Sequence, residues 1–199
     1  MKLIPIVEGH GEVKAVPVLL RRILHHHGCY ELQVVEPIRI PRGQLRTPEG
    51  VERGVRLALT DPECTAVLIL FDVHDDCAKI LGPDLLRAAR SIRQGLPVYV
   101  VFVVREYENR FIASVDSLRG CNRIRPDTSC PPGGPESIQG AKEWLENHMS
   151  EGKTYAPTVD QERLTARMDL MLAYQRSRSF QKLWKDMADL VTRLGRTPN

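Results

Sequence analysis

The sequence has no long hydrophobic run, few aromatic residues and no close pair of cysteines. Its longest apolar stretches, such as residues 66–71 and 98–104, fall far short of the roughly 20 residues that cross a bilayer. The start of the chain also lacks the longer apolar region and the small-residue cleavage site of a signal peptide. We therefore expect a cytoplasmic protein with no membrane partner.

The five cysteines form no Cys-x-x-Cys pair. Their odd number and wide spacing argue against both a disulfide framework and a structural zinc site. The formal net charge is only +3, so any polyanionic partner would need a local basic patch. At 199 residues the chain predicts one full-sized domain.

Apolar runs alternate with helical patterns along the first half of the chain. Strands are predicted over residues 3–7, 32–40, 66–73 and 98–104, with helices between them, one of which begins at Thr47-Pro48. Runs that are apolar on both faces predict a parallel four-stranded sheet covered by helices, an α/β fold. We predict a core over residues 1–114, followed by an irregular loop at 115–135 and a helical extension to residue 199, packed on the same domain. Within the extension, residues 136–148, 161–174 and 180–194 have helical patterns.

Acidic residues follow three of the predicted strands. Glu8 follows the first, Asp72 and Asp76 end the third, and Glu106 and Glu108 follow the fourth. Because the carboxyl ends of parallel strands share one edge, these carboxylates are expected to meet there. Carboxylates held together repel one another unless a cation lies between them, and their hard oxygens favour Mg²⁺ or Mn²⁺. Taken singly, each could instead cap a helix.

Several basic and turn residues lie near this predicted edge and could contact a phosphate or a substrate. Backbone N–H groups of the turn after the first strand could cradle a phosphate, although tight-turn geometry explains its glycines equally well. Arginines of the loop after the second strand (Arg42 and Arg46) and of the irregular loop (Arg119, Arg123 and Arg125) could hold a nucleic-acid backbone, although exposed solubilising side chains explain each of them too. Lys79, at the start of the third helix, could offset negative charge or contact a substrate, although an exposed lysine is the plain alternative. The candidate contact residues are Gly9, His10, Gly11, Arg42, Arg46, His74 and Lys79.

Glu8-Gly9 after the first strand and the Asp-x-x-x-Asp segment at residues 72–76 resemble the Toprim domain of topoisomerases, primases and overcoming-lysogenization-defect nucleases. Residues 105–114, 153–157 and 177–180 resemble a bacterial family of unknown function with a Toprim-like core. The resemblance implies that Glu8, Asp72 and Asp76 are catalytic metal ligands. His74 stands where the Toprim pattern has its middle aspartate, which puts the identity of the metal and full catalytic competence in question.

Two functions remain open on this basis. The first hypothesis is a metal-dependent phosphoryl-transfer enzyme, a nuclease that acts on DNA or RNA. The second is a non-catalytic module of Toprim-like shape that binds nucleic acid or a protein partner, which the missing middle aspartate favours. A third, a nucleotide-binding α/β protein, lacks a complete glycine-rich fingerprint.

Overall fold

The computed structural model describes residues 1–73 and 78–198. Strands and helices alternate in the first half, and the second half is helical. The strands are β1 (Lys2–Val7), β2 (Gln33–Val34), β3 (Ile38–Arg39), β4 (Cys64–Val73) and β5 (Val98–Val104). The helices are α1 (Glu12–His26), α2 (Arg42–Leu45), α3 (Pro48–Ala58), α4 (Ala78–Ser91), α5 (Asn109–Ala113), α6 (Ala141–Asn147), α7 (Pro157–Arg167), α8 (Leu170–Arg176) and α9 (Arg178–Arg193). Within the described ranges, no helix combines the length and apolar character that crossing a membrane requires.

The strands form a parallel sheet of the order β2-β1-β4-β5, with β3 pairing on β1. In register, Ile6 lies beside Ile69, and Asp72 lies beside Val103. The predicted α/β class and the parallel arrangement are therefore confirmed. Because every strand runs in the same direction, all their carboxyl ends lie along one edge of the sheet.

The predicted second strand is divided in the structure, which gives the sheet five strands rather than four. Its two halves, β2 and β3, pair with opposite ends of β1 on the same side. Pro37 lies between them and has no N–H to donate, and it also restricts the backbone of Glu36. The interruption is thus a local effect of proline within one edge region.

Apolar side chains of the central strand β4 alternate between two hydrophobic clusters. Val67, Ile69 and Phe71 pack on the side of α3 and α4, whereas Leu68 and Leu70 face α1 and the C-terminal helices. This alternation is the period of two that a strand imposes. The sheet is consequently covered on both faces.

The helical part after residue 114 covers one face of the sheet. Helix α9 packs against β5 and α1, and α7 packs against α1. Phe180, Leu183 and Leu190 of α9 join the same hydrophobic cluster as Leu19 and Ile23 of α1. The C-terminal helices therefore share a core with the N-terminal strands.

Helices in this region begin and end differently from their predicted bounds. The pattern over residues 161–174 suggested one helix, but the structure divides it between α7 and α8. The Asp169 side chain accepts hydrogen bonds from the N–H groups of Met171 (2.7 Å) and Leu172 (3.0 Å), which caps a new helix. The irregular segment holds a 3₁₀ turn at Val115–Leu118, and an antiparallel bridge joins Ile124 to Met149.

Helices α2 and α3 approach each other closely at Gly50. The Thr47 hydroxyl caps α3 by accepting from the Gly50 N–H at 3.0 Å, which confirms the predicted helix start. A Cβ at position 50 would lie 1.7 Å from the carbonyl oxygen of Gln44. Glycine at this position therefore lets α2 lie against the first turn of α3, at the sheet edge where Arg42 and Arg46 are held.

Gly50→Ala is expected to lower the free energy of unfolding by about 1–3 kcal/mol, because α2 must move to admit the methyl group. Gly43→Ala is the matched control, since a Cβ there meets nothing within 4 Å. It should leave stability unchanged or raise it by up to about 1 kcal/mol, the usual gain of alanine over glycine in a helix. Urea denaturation followed by circular dichroism measures both variants, and equal stability of the two would contradict the close approach.

Candidate functional site

Carboxylates from three strand ends lie along the carboxyl edge of the sheet. Glu8 follows β1, Asp72 is the penultimate residue of β4, and Glu106 and Glu108 follow β5. The backbone N–H of Asp72 donates to Glu8 Oε2 at 3.0 Å, which joins the first two strand ends directly. His74 and Asp76 lie outside the described residues, as does the side chain of Lys79.

Glu8 is held by an arginine of the α2 region. The Nε of Arg46 donates to Glu8 Oε1 at 2.9 Å, and its Nη2 donates to Oε2 at 3.3 Å. The same guanidinium also donates to the carbonyl oxygen of Asp72. Both side chains are mostly buried, with 14% of Arg46 and 7% of Glu8 exposed. The arginine predicted as a phosphate contact is therefore engaged with Glu8 and its strand neighbour.

Glu12, in the first turn of α1, is a fifth carboxylate that the strand-end argument missed. Its Oε2 accepts from the N–H groups of Glu8 and Gly9, each at 3.2 Å. Burial raises the pKa of Glu12 to about 6, and the charges of Glu8 and Glu108 add to this increase. The acidic residue at the helix start, four positions after Glu8, was the signal that could have identified it.

Asp72 has the strongest electrostatic conflict in the site. Burial, followed by the charges of Glu12 and Glu108, raises the pKa of its carboxyl well above the usual value. Its Oδ1 is buried and accepts no hydrogen bond within the described part of the chain. A buried, unsatisfied carboxylate oxygen is costly, so Asp72 favours either a proton or a cation.

Glu108 is fully buried and belongs to a network with the C-terminal half of the chain. Its Oε1 accepts from the hydroxyl of Tyr155 at 3.0 Å and from Nε2 of Gln161 at 2.8 Å. The Nζ of Lys142 lies 3.6 Å from Glu106 Oε2 and 3.9 Å from Glu108 Oε2. Burial is the main reason that the pKa of Glu108 is raised.

A buried cation lies beneath the acidic groups. Arg110 is fully buried, with its guanidinium carbon 4.6 Å from the centre of the Tyr107 ring. Its positive charge opposes the increase in the pKa of both Glu12 and Asp72. None of its three guanidinium nitrogens makes a hydrogen bond within the described residues, so its effect on the carboxylates acts through space.

An open pocket of about 390 Å³ lies above these groups. Its floor is acidic, and its walls come from α1, α2, α6 and α7. The lining residues are Glu8, Gly9, His10, Gly11, Glu12, Arg42, Asp72, Lys142, Pro157, Thr158 and Gln161. The turn glycines and His10 therefore border the pocket, as does Arg42, whereas Glu106 and Glu108 lie outside its lining.

Gly11 lets the C-terminal half of the chain approach the turn after β1. A Cβ there would lie 2.3 Å from Gln161 Oε1 and 2.7 Å from the carbonyl oxygen of Pro157. Close packing against α7 thus accounts for this glycine, which the sequence suggested could cradle phosphate. Sequence reasoning missed Lys142, Thr158 and Gln161 at the pocket, which come from distant segments without a recognisable motif. Pro157 lies in the segment 153–157 that carried the family resemblance, but sequence reasoning assigned it no role.

Histidine, cysteine, aspartate and glutamate side chains are the usual protein ligands of divalent metals. No group of three or more His, Cys, Asp or Glu side chains in these ranges is arranged to hold a metal ion. Two of the predicted participants, His74 and Asp76, lie outside those ranges. Metal binding by Glu8, Asp72, Asp76, Glu106 and Glu108 therefore stays a prediction.

Comparison with known proteins identifies a family but no activity. A family model described as "Domain of unknown function (DUF4276)" matches residues 7–188, which spans the pocket and all the helices that border it. No curated protein shows significant similarity to the chain, and neither does any solved structure. Functional inference therefore depends on the site itself.

Glu12→Gln tests the cost of burying these carboxylates. The pKa of Glu12 is raised from 4.5 to about 6 in the folded protein, because its buried carboxyl is favoured in the neutral form. The contribution of the neutral carboxyl to the free energy of unfolding is fully present below pH 4.5 and is lost as the pH rises through 6. Glutamine stays neutral, so the variant should gain about 2 kcal/mol relative to the natural protein between pH 4 and pH 7. Urea denaturation in EDTA measures the difference.

Asp61→Asn is the control of opposite sign. Its hydrogen bond with Lys2 lowers the pKa of Asp61, so the charged form stabilises the fold above the unfolded pKa. This variant should be less stable than the natural protein at pH 7, and the difference should shrink in acid. If Glu12→Gln follows the same sign as Asp61→Asn, the buried-carboxylate interpretation is wrong.

Proposed function

The chain belongs to the DUF4276 family, and we propose that it is a divalent-metal-dependent phosphoryl-transfer enzyme, a nuclease that acts on DNA or RNA phosphodiesters. The observation that carries the proposal is the carboxyl of Asp72. Its Oδ1 is buried without a hydrogen-bond partner among the described residues, and its pKa is raised by burial and by neighbouring carboxylates. Such a group binds a hard cation in place of a proton.

Glu8, Glu12 and Asp72 line the pocket, and their carboxylates are the kind of hard oxygen ligand that Mg²⁺ or Mn²⁺ prefers, which supports the proposal. When bound, such an ion supplies charge neutralisation at the phosphate and activation of water. Resemblance to the Toprim motif supports the same assignment and adds Asp76. We assign metal binding to Glu8, Asp72 and Asp76.

Positive side chains on the pocket wall suit a phosphodiester substrate. Lys142 has 47% of its side chain exposed, and Arg42 also borders the pocket. Burial lowers the pKa of Lys142, but the negative charges of Glu108, Glu106 and Asp72 raise it by more. The net change is an increase, so Lys142 stays positively charged at neutral pH. We assign to Lys142 and Arg42 the binding of non-bridging phosphate oxygens, as guanidinium and ammonium groups do.

A second candidate is the non-catalytic nucleic-acid-binding module. The ion pair between Arg46 and Glu8 favours it, because the arginine neutralises Glu8 without any metal. Under this alternative the acidic pocket is a structural remnant and the basic surfaces alone bind nucleic acid. The two candidates differ in whether Mg²⁺ or Mn²⁺ supports cleavage.

Asp72→Asn is expected to reduce metal-dependent cleavage of DNA or RNA by roughly 100-fold or more, since a lost metal ligand removes about 3 kcal/mol of transition-state stabilisation. Asparagine is nearly isosteric, so the fold should persist and nucleic-acid affinity in EDTA should stay within about twofold, because backbone affinity comes mainly from Lys and Arg contacts. Cleavage is measured with end-labelled oligonucleotides in Mg²⁺ and in Mn²⁺.

Asp84→Asn is the matched control, because it removes one exposed carboxylate on α4, where Asp84 pairs with Arg87. Cleavage by this variant should equal that of the natural protein. If the natural protein cleaves neither DNA nor RNA with either metal, the binding-module alternative replaces the enzyme. If Asp72→Asn and Asp84→Asn cleave equally, the carboxylate of Asp72 holds no catalytic metal.

His74→Asp supplies the carboxylate that the Toprim pattern has at this position. Aspartate offers Mg²⁺ a hard oxygen ligand where histidine suits softer metals. We expect Mg²⁺-dependent cleavage to rise several-fold relative to Mn²⁺-dependent cleavage, measured on the same oligonucleotides. An unchanged ratio would show that position 74 does not contribute to the choice of metal.

A further inference from the structure

A second pocket, lined by the exposed side of α7, is basic rather than acidic. It has a volume of about 650 Å³ and is lined by Asn122, Arg123, Asp160, Arg163, Ala166 and Arg167. The lining contains three arginines and a single acidic residue. We call this surface the arginine cleft.

The acidic residue of the arginine cleft is already satisfied. Asp160 is fully buried, and its Oδ1 accepts from Arg123 Nη2 at 2.6 Å while its Oδ2 accepts from the N–H of Ala156 at 2.9 Å. It therefore fixes the guanidinium of Arg123 at the wall of the cleft. The backbone of Arg123 is held as well, since its carbonyl oxygen accepts from the N–H of Ser150 at 2.8 Å.

The other two arginines carry uncompensated charge. Arg163 and Arg167 are exposed on α7, and neither makes an ion pair or a hydrogen bond within the described part of the chain. Arg56 and Arg87, by contrast, pair with Glu52 and Asp84. The cleft consequently presents positive charge that no neighbouring acid neutralises.

Helix α7 connects the arginine cleft to the acidic pocket. Its first two turns contribute Pro157, Thr158 and Gln161 to the pocket. At about 3.6 residues per turn, Arg163 and Arg167 lie about 160° and about 120° round the helix from Gln161, on its exposed side. A strand that contacts both sites must therefore pass around α7. Arg163 and Arg167 lie about 6 Å apart along the axis, so they can reach different phosphates of one strand.

We propose that the arginine cleft binds the phosphodiester backbone of a nucleic acid whose reacting phosphate is held in the acidic pocket. The inference rests on the proposed function for the nature of the substrate. Guanidinium groups bind phosphate oxygens in a bidentate manner, and contacts of this kind set affinity and register without reading sequence. A cleft of this kind favours a polymeric substrate over a mononucleotide.

The test compares binding of oligonucleotides to the natural protein and to the double variant Arg163→Ala/Arg167→Ala in EDTA, so that hydrolysis plays no part. Loss of two phosphate contacts should weaken binding roughly 10- to 30-fold at 0.1 M salt and lower the slope of log K against log salt by about 1.4 for a single strand or 1.8 for duplex DNA. Fluorescence anisotropy with single-stranded DNA, duplex DNA and RNA shows which polymer binds.

Arg56→Ala/Arg87→Ala is the matched control, because it removes two exposed arginines from α3 and α4, which cover the other face of the sheet. It should bind like the natural protein, and circular dichroism should show that both double variants are folded. Equal loss in the two double variants, or no loss in the cleft variant, overturns the proposal. Competition by polyglutamate as effective as that by an oligonucleotide of equal charge also overturns it.

The outcomes for this cleft and for the proposed enzyme are distinguishable. Binding that depends on Arg163 and Arg167, without cleavage in Mg²⁺ or Mn²⁺, supports the cleft and contradicts the nuclease. Cleavage by the natural protein, with binding that ignores both arginines, supports the nuclease and overturns the cleft.

Discussion

Mutual repulsion of carboxylates at a poorly hydrated sheet edge is the constraint on which the rest of this structure depends. A parallel sheet places Glu8, Asp72 and Glu108 close to one another because its strands end together. Burial then removes the water that would screen their charges. The surrounding elements can be understood as the means by which the fold tolerates that arrangement.

Each carboxylate receives a different form of compensation. Glu8 pairs with Arg46, Glu108 accepts from two side chains, and Arg110 supplies a positive charge from within the core. Asp72 receives the least. Its Oδ1, like Oε2 of Glu106 and of Glu108, has no hydrogen-bond partner among the described residues, and the carboxylate of Asp72 also makes no ion pair among them. Asp72 is therefore the carboxylate with the least electrostatic compensation, and residues with strongly shifted pKa values are frequent at functional sites.

The sequence predicted the sheet well because its information is local. Apolar runs such as that of β4 are strands buried on both faces, and Thr47 marks a helix start by the chemistry of its own hydroxyl. Proline had a larger local effect than expected, since Pro37 divided one predicted strand into two. The capping carboxylate of Asp169 likewise divided one predicted helix.

The candidate site could be predicted only in part. Glu8 and Asp72 were accessible because strand topology alone places them. Lys142 and Gln161 were not, because their positions depend on how helices from distant segments pack against α1, and that packing leaves no short-range signal. The reason for glycine at position 11 was hidden in the same way, since the residue it accommodates lies 150 positions later.

The dependence of Glu108 on Tyr155 and Gln161 has a consequence for synthesis on the ribosome. All strands of the sheet emerge before α6 and α7, so the nascent chain acquires its acidic edge well before the groups that satisfy Glu108. During that interval the edge is repulsive and hydrated, because its cover has not yet been translated. Glu108 therefore remains without its Tyr155 and Gln161 partners until most of the chain has been made.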